Sequence, residues 1–474
     1  MAPGQGCAVD NADAFRQSLL EPLPEALGLR PFRPRPPWLN GDLQTLRDSL
    51  RPVALPPATG VRVEIPVPPP LAVVARGGSC TVASSVVGVG RASDPSLVGA
   101  SESVEESASN RTSSDDRIDA VPDGAIGPGR LSMAGGTKTG DSRPVDRLLA
   151  FLDPSLGEGA EPLGLVVLMH GLGGSSDREG LRRMGLTLQR AGFAVLRLNM
   201  RGAGPGRSLA RGTYAARCNS DLLPALRRAR ELADGLAPGG RPLFGMGISL
   251  GGTKLLNALL ADADERAAAG LAPMATLATA DENLGAPRPL VDGLVCISSP
   301  LDLVACSRQI ERPRNRFYER WLLKRLLEQT AADPFGLSPE ERQVLKGGGP
   351  VGPLRSIRAF DAAITAPRWG YDSVECYYRA ASPLPRLLAF AENGLAASPS
   401  PPSTQLQALQ DRAMVGLPPA LIVHAADDPW VPVASTERLA ASALAAGHGG
   451  PWQVLITPQG GHNGFHAACD APGG

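Results

Sequence analysis

Apolar runs of strand length alternate with amphipathic stretches of helix length along most of the chain after position 146. Leu165–Met169 (LVVLM) is apolar throughout, as a strand covered on both faces should be. Phe193–Leu198, Pro242–Ile248, Gly293–Ser298, Ala420–Ala425 and Trp452–Thr457 also read as strands. Helical stretches fall between them: Arg178–Ala191, stopped by Gly192; Asn219 to about Ala233, with Asn219 and Ser220 as N-cap candidates and Pro224 in the first turn; and Leu250–Leu260. Upstream, Val61–Val67 and Arg147–Leu152 read as the first edge strands. Strand and helix in alternation predict a doubly wound, mostly parallel α/β sheet.

Two segments break the rhythm. From about 300 to 418 the pattern is helical without strands, and pieces such as Phe317–Leu327 predict helices laid over the sheet as a cap inserted before strand Ala420–Ala425. The cations Arg312, Arg314, Arg316, Arg320, Lys324 and Arg325 in this region fit a solvated helix face better than an anion site. From 76 to 142 the chain is rich in Ser, Gly, Ala and Asp and has no Phe, Tyr or Trp, which predicts a disordered insert. The expected organisation is an N-terminal extension with the first edge strand (1–75), the insert (76–142), and a main domain with its cap (143–474).

Composition narrows the function classes. Glycine (55) and proline (46) make up about a fifth of the 474 residues, against roughly 12% ordinarily. Lys and Arg (47) balance Asp and Glu (47), which removes the electrostatic case for a nucleic-acid partner. No apolar run approaches the length of a transmembrane helix, and the N-terminus carries Asp10, Asp13, Glu21 and Glu25 in place of a secretory apolar core, so a cytoplasmic location is expected. The seven cysteines are scattered without a Cys-x-x-Cys pair and read as buried, reduced thiols. The oligomeric state is not legible.

The candidate chemistry begins at Gly247-Ile248-Ser249-Leu250-Gly251, a Gly-x-Ser-x-Gly pattern lying between a predicted strand and a predicted helix. In that context the turn lifts a serine hydroxyl above the sheet edge, with small residues letting the backbones pass. Serine needs a base, and the base an orienting acid, following in the order Ser, acid, His. Strand Ala420–Ala425 leads into Asp427-Asp428-Pro429, and strand Trp452–Thr457 leads into Gly460-Gly461-His462. Of the two aspartates, Asp428 stands four residues before Pro432, a spacing associated with the acid turn of α/β-hydrolases, and is favoured. Asp427 is then expected to bond amides of its own turn. His170-Gly171-Leu172-Gly173-Gly174 follows the third strand, so the Leu172 and Leu250 amides are the expected oxyanion donors, with His170 bracing the loop. His424 reads as a core residue. A metal site from His462, His466 and Cys469 is set aside because the Ser–acid–His set already accounts for His462. No cofactor or metal is expected.

The sequence resembles the YheT-type α/β-hydrolases, relatives of the eukaryotic α/β-hydrolase-domain lipases. The resemblance runs from Phe32 to Phe465 outside the inserts. It is carried by Pro37-Trp38-Leu39 with Leu43-Gln44-Thr45, His170–Ser176, Leu198–Gly202, Gly247–Gly252, Pro300–Leu303, Phe360-Asp361 with Thr365-Ala366-Pro367, Tyr377-Tyr378, His424–Pro429 and Gly460–Phe465. It implies the α/β-hydrolase fold and hydrolysis of carboxylic esters, short-chain esters or acylglycerols, by Ser249, an Asp of the Asp427-Asp428 pair and His462. A small ester or lipid is the implied substrate. Two features depart from the family pattern: Asp42 stands where a His is usual, and the 76–142 insert is foreign to it. An acyltransferase using the same residues, and a silent hydrolase fold that only binds, are the alternatives.

Overall fold

A computed structural model describes residues 32–70, 145–157, 161–268, 290–348, 352–395, 417–445 and 452–468. The expected 76–142 insert and the first 31 residues of the N-terminal extension lie outside them. Within the described residues, α1 (Gly41–Leu50) precedes β1 (Val61–Val67), β2 (Asp146–Asp153) and β3 (Leu165–Met169). Then follow α2 (Glu179–Arg190), β4 (Ala194–Leu198), α3 (Asn219–Asp234), β5 (Leu243–Ile248), α4 (Leu250–Ala268) and β6 (Gly293–Ile297). Beyond β6 the chain is helical: α5 (Leu303–Ile310), α6 (Arg316–Ala331), α7 (Pro339–Leu345), α8 (Ile357–Phe360), α9 (Ala366–Arg368), α10 (Val374–Ala381) and α11 (Leu384–Leu395). β7 (Ala420–Ala425), α12 (Ala434–Ala445) and β8 (Trp452–Thr457) complete it.

The strands form one 8-stranded sheet in the order β1-β2-β4-β3-β5-β6-β7-β8. β1 and β2 pair antiparallel, as do β2 and β4, and every other pairing is parallel. β3 and β4 are buried at every position, as strands covered on both faces require. The chain winds outward from β3 in both directions, to β4 on one side and β5 on the other. In open α/β sheets, the carboxyl ends of strands at such a switch point border the ligand crevice.

Several sequence expectations need correction. Of the two strands read as edge strands only β1 lies at an edge, the other edge being β8; β2 lies between β1 and β4. Helix α3 is capped at Cys218 with no side-chain cap, and Pro224 lies inside the helix, beyond its first turn. Asn219 and Ser220 are already helical, because Asp221 N–H closes on the Cys218 carbonyl at 3.0 Å. Helix α4 runs past Leu260 to Ala268, since the following ADADERAA segment holds good helix formers and no Pro or Gly.

In the region between β6 and β7, α6 turns Tyr318, Leu322, Leu323 and Leu326 onto Ile310, Ile357, Phe360 and Ile364, making an apolar cluster separate from the sheet core. Arg312, Arg314, Arg316, Arg320 and Lys324 are exposed; Arg325 is half-buried, with its guanidinium 4.7 Å from the Trp321 ring centre.

Candidate active site

The turn from β5 to α4 holds Ser249 at φ 50°, a left-handed conformation uncommon for a residue with a side chain. The turn closes tightly enough to exclude side chains on either side. A Cβ on Gly247 would meet the Gly252 nitrogen at 2.3 Å, and one on Gly251 would meet the Met169 carbonyl oxygen at 2.6 Å. Register pairs Met169 with Gly247, which brings the loop after β3 alongside this turn. A Cβ on Gly171 would stand 3.5 Å from Ser249 Oγ.

The loops after β7 and β8 bring two further groups to the serine. His462 Nε2 lies 2.9 Å from Ser249 Oγ, and His462 Nδ1 lies 2.8 Å from Asp428 Oδ2. With Nδ1 donating to the carboxylate, Nε2 is left as the acceptor for the serine proton. Asp428 is buried, and its other oxygen accepts the Trp430 and Val431 amides at 2.8 and 3.0 Å. Burial alone would push the Asp428 carboxyl up; His462 and His424 outweigh it and hold the acid below the ordinary carboxylate range. His424, expected in the core, is buried there and also supports the acid turn. Its Nε2 is 3.2 Å from the Val431 carbonyl and 3.5 Å from Asp428 Oδ2, and its Nδ1 is 2.6 Å from Thr436 Oγ1. The Trp430 ring lies over His462, with centroids 4.5 Å apart.

Asp427 bonds its own amide, within the turn as expected, and also reaches beyond that turn. Its Oδ1 accepts the Gly461 amide at 2.8 Å, so it ties the acid turn to the histidine loop, while the Trp430 and Val431 amides go to Asp428. Asp428, the acid the sequence favoured, is the buried member of the pair, and Asp427 is half-buried.

The loop after β3 is braced as expected. His170 is buried, with Nε2 accepting the Met200 amide at 3.2 Å and Nδ1 placed 2.8 Å from the Gly171 carbonyl. Burial lowers its pKa to about 4, so it is a neutral imidazole at pH 7. Gly173 N–H donates to the Tyr214 hydroxyl at 2.7 Å and Gly174 N–H to the Gly171 carbonyl at 3.2 Å, which takes those two amides away from any ligand. Leu172 lines the cavity with Ser249, as does Leu250, the first residue of α4, where N–H groups have no intrahelical partner.

Ser249, His462, Leu172 and Leu250 share a cavity of about 270 Å³. Its walls are largely apolar and include Leu303, Ile310, Leu322 and Leu326 from the helices between β6 and β7. Among the described residues no group of His, Cys, Asp and Glu could hold a metal ion, and no helix is long and apolar enough to cross a membrane. Cys469 of the set-aside metal alternative lies outside the described residues.

A family model described as Hydrolase_4, serine aminopeptidase S33, matches residues 160–312, the stretch from the loop before β3 through α5. Joined to the sheet order and the strained strand-to-helix serine turn, this settles the fold. The chain has the α/β-hydrolase fold. Its resemblance to the YheT-type members also holds: it is 32% identical over 184 residues to the Escherichia coli (strain K12) protein named "Putative esterase YheT", covering 37% of this chain and 41% of that protein. It is 26% identical over 225 residues to mouse phospholipase ABHD3 (47% of this chain, 46% of that one). It is 25% identical over 247 residues to medium-chain fatty acid ethyl ester synthase/esterase 2 of Saccharomyces cerevisiae, covering 48% of each. In each case the match spans less than half of the relative's own length. A solved soluble variant of monoglyceride lipase from Saccharomyces cerevisiae is 17% identical, with a TM-score of 0.36 over 67% of this chain and 84% of that one.

The N-terminal segment also reaches the loop that carries His462, a contact that sequence reasoning missed. The Thr45 hydroxyl accepts the His462 amide at 2.8 Å, and Gln44 binds both the amide and the carbonyl of His466 at 2.7 and 3.1 Å. A Cβ on Gly41 would fall 2.0 Å from the Asp427 carbonyl oxygen. The available signal was the Leu43-Gln44-Thr45 motif, which has no chemistry of its own and so pointed nowhere. Asp42, which departs from the family pattern, meets the helix α6 region, with Oδ1 3.1 Å from the Tyr318 hydroxyl and Oδ2 3.2 Å from Arg314.

Proposed function

We propose that the protein is a serine hydrolase of carboxylic esters, of the short-chain ester or acylglycerol type. The observation that carries the reading is the unbroken hydrogen-bond line from Asp428 through His462 to Ser249 at the wall of an apolar cavity. Ser249 attacks the acyl carbonyl as His462 Nε2 takes its proton, and Asp428 steadies the imidazolium that forms. The Leu172 and Leu250 amides face the oxyanion. His462 then protonates the departing alcohol, the acyl group rests on Ser249, and water activated by the same imidazole releases it. The names of the relatives, an esterase, a phospholipase and an ester synthase/esterase, support ester chemistry.

The test is labelling with a fluorophosphonate followed by peptide mapping. The expected outcome is one label, on Ser249, lost in His462→Ala; a label on another serine, or none, would refute the assignment. Replacing Ser249 or His462 with Ala should lower ester turnover by on the order of 10⁶ at the extreme. One relative's name covers ester synthesis, and an alcohol in place of water would return an ester on the same residues. Comparing hydrolysis with alcohol transfer at rising alcohol concentration separates these two outcomes.

A further inference from the structure

Part of the lining of the cavity beside Ser249 is polar. Asp361 opens a π-helical turn, Asp361–Thr365, set between α8 and α9. Such widened turns are rare and are frequent at functional sites. Asp361 Oδ2 accepts the Tyr378 hydroxyl at 2.8 Å, and both residues line the cavity. Tyr214 and Tyr377 line it too. Each of those phenol oxygens already accepts a backbone amide: Gly173 gives its N–H to Tyr214 at 2.7 Å, and Ala216 gives its N–H to Tyr377 at 2.8 Å. A phenol that accepts from an amide still has its own O–H to place. Neither hydroxyl finds an acceptor among the described residues. Burial raises both phenols above the ordinary tyrosine range, so they stay donors throughout the working pH range. Burial also lifts the Asp361 acid to about 6, against the pull of hydrogen bonds from Thr365 and Tyr378, leaving it ionised at pH 7.

A hydrocarbon chain laid along this wall would cover the two phenol protons without satisfying them, at a cost of about 1–3 kcal/mol for each group left unpaired, and would leave unused the remaining lone pairs of Asp361, which already accepts from Tyr378 and Thr365. A hydroxyl can both donate and accept, so it meets both needs at once. We infer that the Asp361 wall is a recognition site for a free hydroxyl carried by the ester, the carboxylate accepting its proton and the cavity phenols donating to its oxygen. The substrate class is therefore a hydroxylated ester, with the hydroxyl on either the alcohol or the acyl portion. This inference rests on the hydrolase reading above.

The test uses matched pairs on the full chain: ethyl hexanoate against 2-hydroxyethyl hexanoate for the alcohol portion, and methyl hexanoate against methyl 3-hydroxyhexanoate for the acyl portion. In one pair the parent protein is expected to favour the hydroxylated member by about tenfold in kcat/KM, the worth of one net hydrogen bond. The double variant Asp361→Leu with Tyr378→Phe removes both partners together, so that neither is left unpaired, and should bring that ratio close to one. Asp361→Asn, which keeps the shape, should give an intermediate ratio and serves if the double variant does not fold. A ratio near one for both pairs in the parent protein overturns the inference, as does a preference that survives the variants. If neither member of either pair is turned over, the hydrolase reading itself fails and takes this one with it. Turnover without discrimination overturns the hydroxyl site alone.

Discussion

Two adjacent aspartates offer a sharp test of the proposed relay, because the structure gives them different work. In Asp428→Asn the Trp430 and Val431 amides, at 2.8 and 3.0 Å from Oδ1, still require an acceptor, so the new amide oxygen stays with them. The new NH₂ group then takes the Oδ2 position, 2.8 Å from His462 Nδ1. Two donors cannot share that contact. The imidazole must carry its proton on Nε2, where it donates to Ser249 and can no longer accept the serine proton. A tautomer switch of this kind costs on the order of 10⁴ in turnover. That is about 5 kcal/mol of transition-state stabilisation.

Asp427→Asn keeps a carbonyl oxygen for the Gly461 amide and leaves His462 untouched, so turnover should stay within about threefold, the loss expected for a weakened neutral hydrogen bond. The assay is kcat/KM on a short-chain ester for the parent and both variants. Circular dichroism and melting temperature establish that each variant is folded. A variant ranking with Asp427→Asn as the more damaged enzyme, or Asp428→Asn retaining more than about a tenth of parent turnover, would refute the reasoning.

Gly251→Ala should lose about 2–3 kcal/mol in urea unfolding or fail to give soluble protein, because its Cβ would stand 2.6 Å from the Met169 oxygen and 2.9 Å from the His170 oxygen, both main-chain atoms; unchanged stability would show that β3 and α4 can move apart. Asp361→Asn should stabilise the protein in a pH-dependent way. Burial lifts the native acid from 3.8 to about 6, so between those values the native state holds a proton the unfolded chain has lost, and parent stability falls as pH rises through that window. The gain from Asn, which does not titrate, should therefore be small near pH 4 and approach at most about 3 kcal/mol above pH 6. A gain that is flat from pH 4 to 8 would mean that Asp361 is not the titrating group.

How much of this could be read from the chain depends on whether a signal is local. β3 was legible to the residue because a parallel strand buried on both faces needs a continuous apolar run, and such a run has ends; β7 and β8 were legible as apolar-rich stretches of strand length. The placement of Ser249 and His462 just beyond β5 and β8 was legible, because each follows an apolar strand in the order the fold imposes. The end of α4 and the cap of α3 were not, since propensity sets helix limits only weakly and packing decides them. The spacing to Pro432 favoured Asp428 over Asp427, but the bond from the Gly461 amide to Asp427 was not legible, because that partner lies 34 positions along the chain.

The same limit explains why the N-terminal segment and the Asp361 wall went unread. Thr45 reaches a residue 417 positions away, and Gln44 one 422 away, through bonds that leave no trace in periodicity. Asp361 lies in a turn whose π-helical widening is invisible in composition, beside tyrosines whose oxygens are taken by distant amides. Each of these features is a polar group made useful by a partner far along the chain. Apolar pattern therefore fixes the scaffold that carries Ser249 and His462, while the proposed choice of substrate rests on polar contacts that exist only once the chain has folded. A search for specificity in proteins of this architecture should start from buried donors whose protons lack an acceptor, because those are the groups a ligand can satisfy.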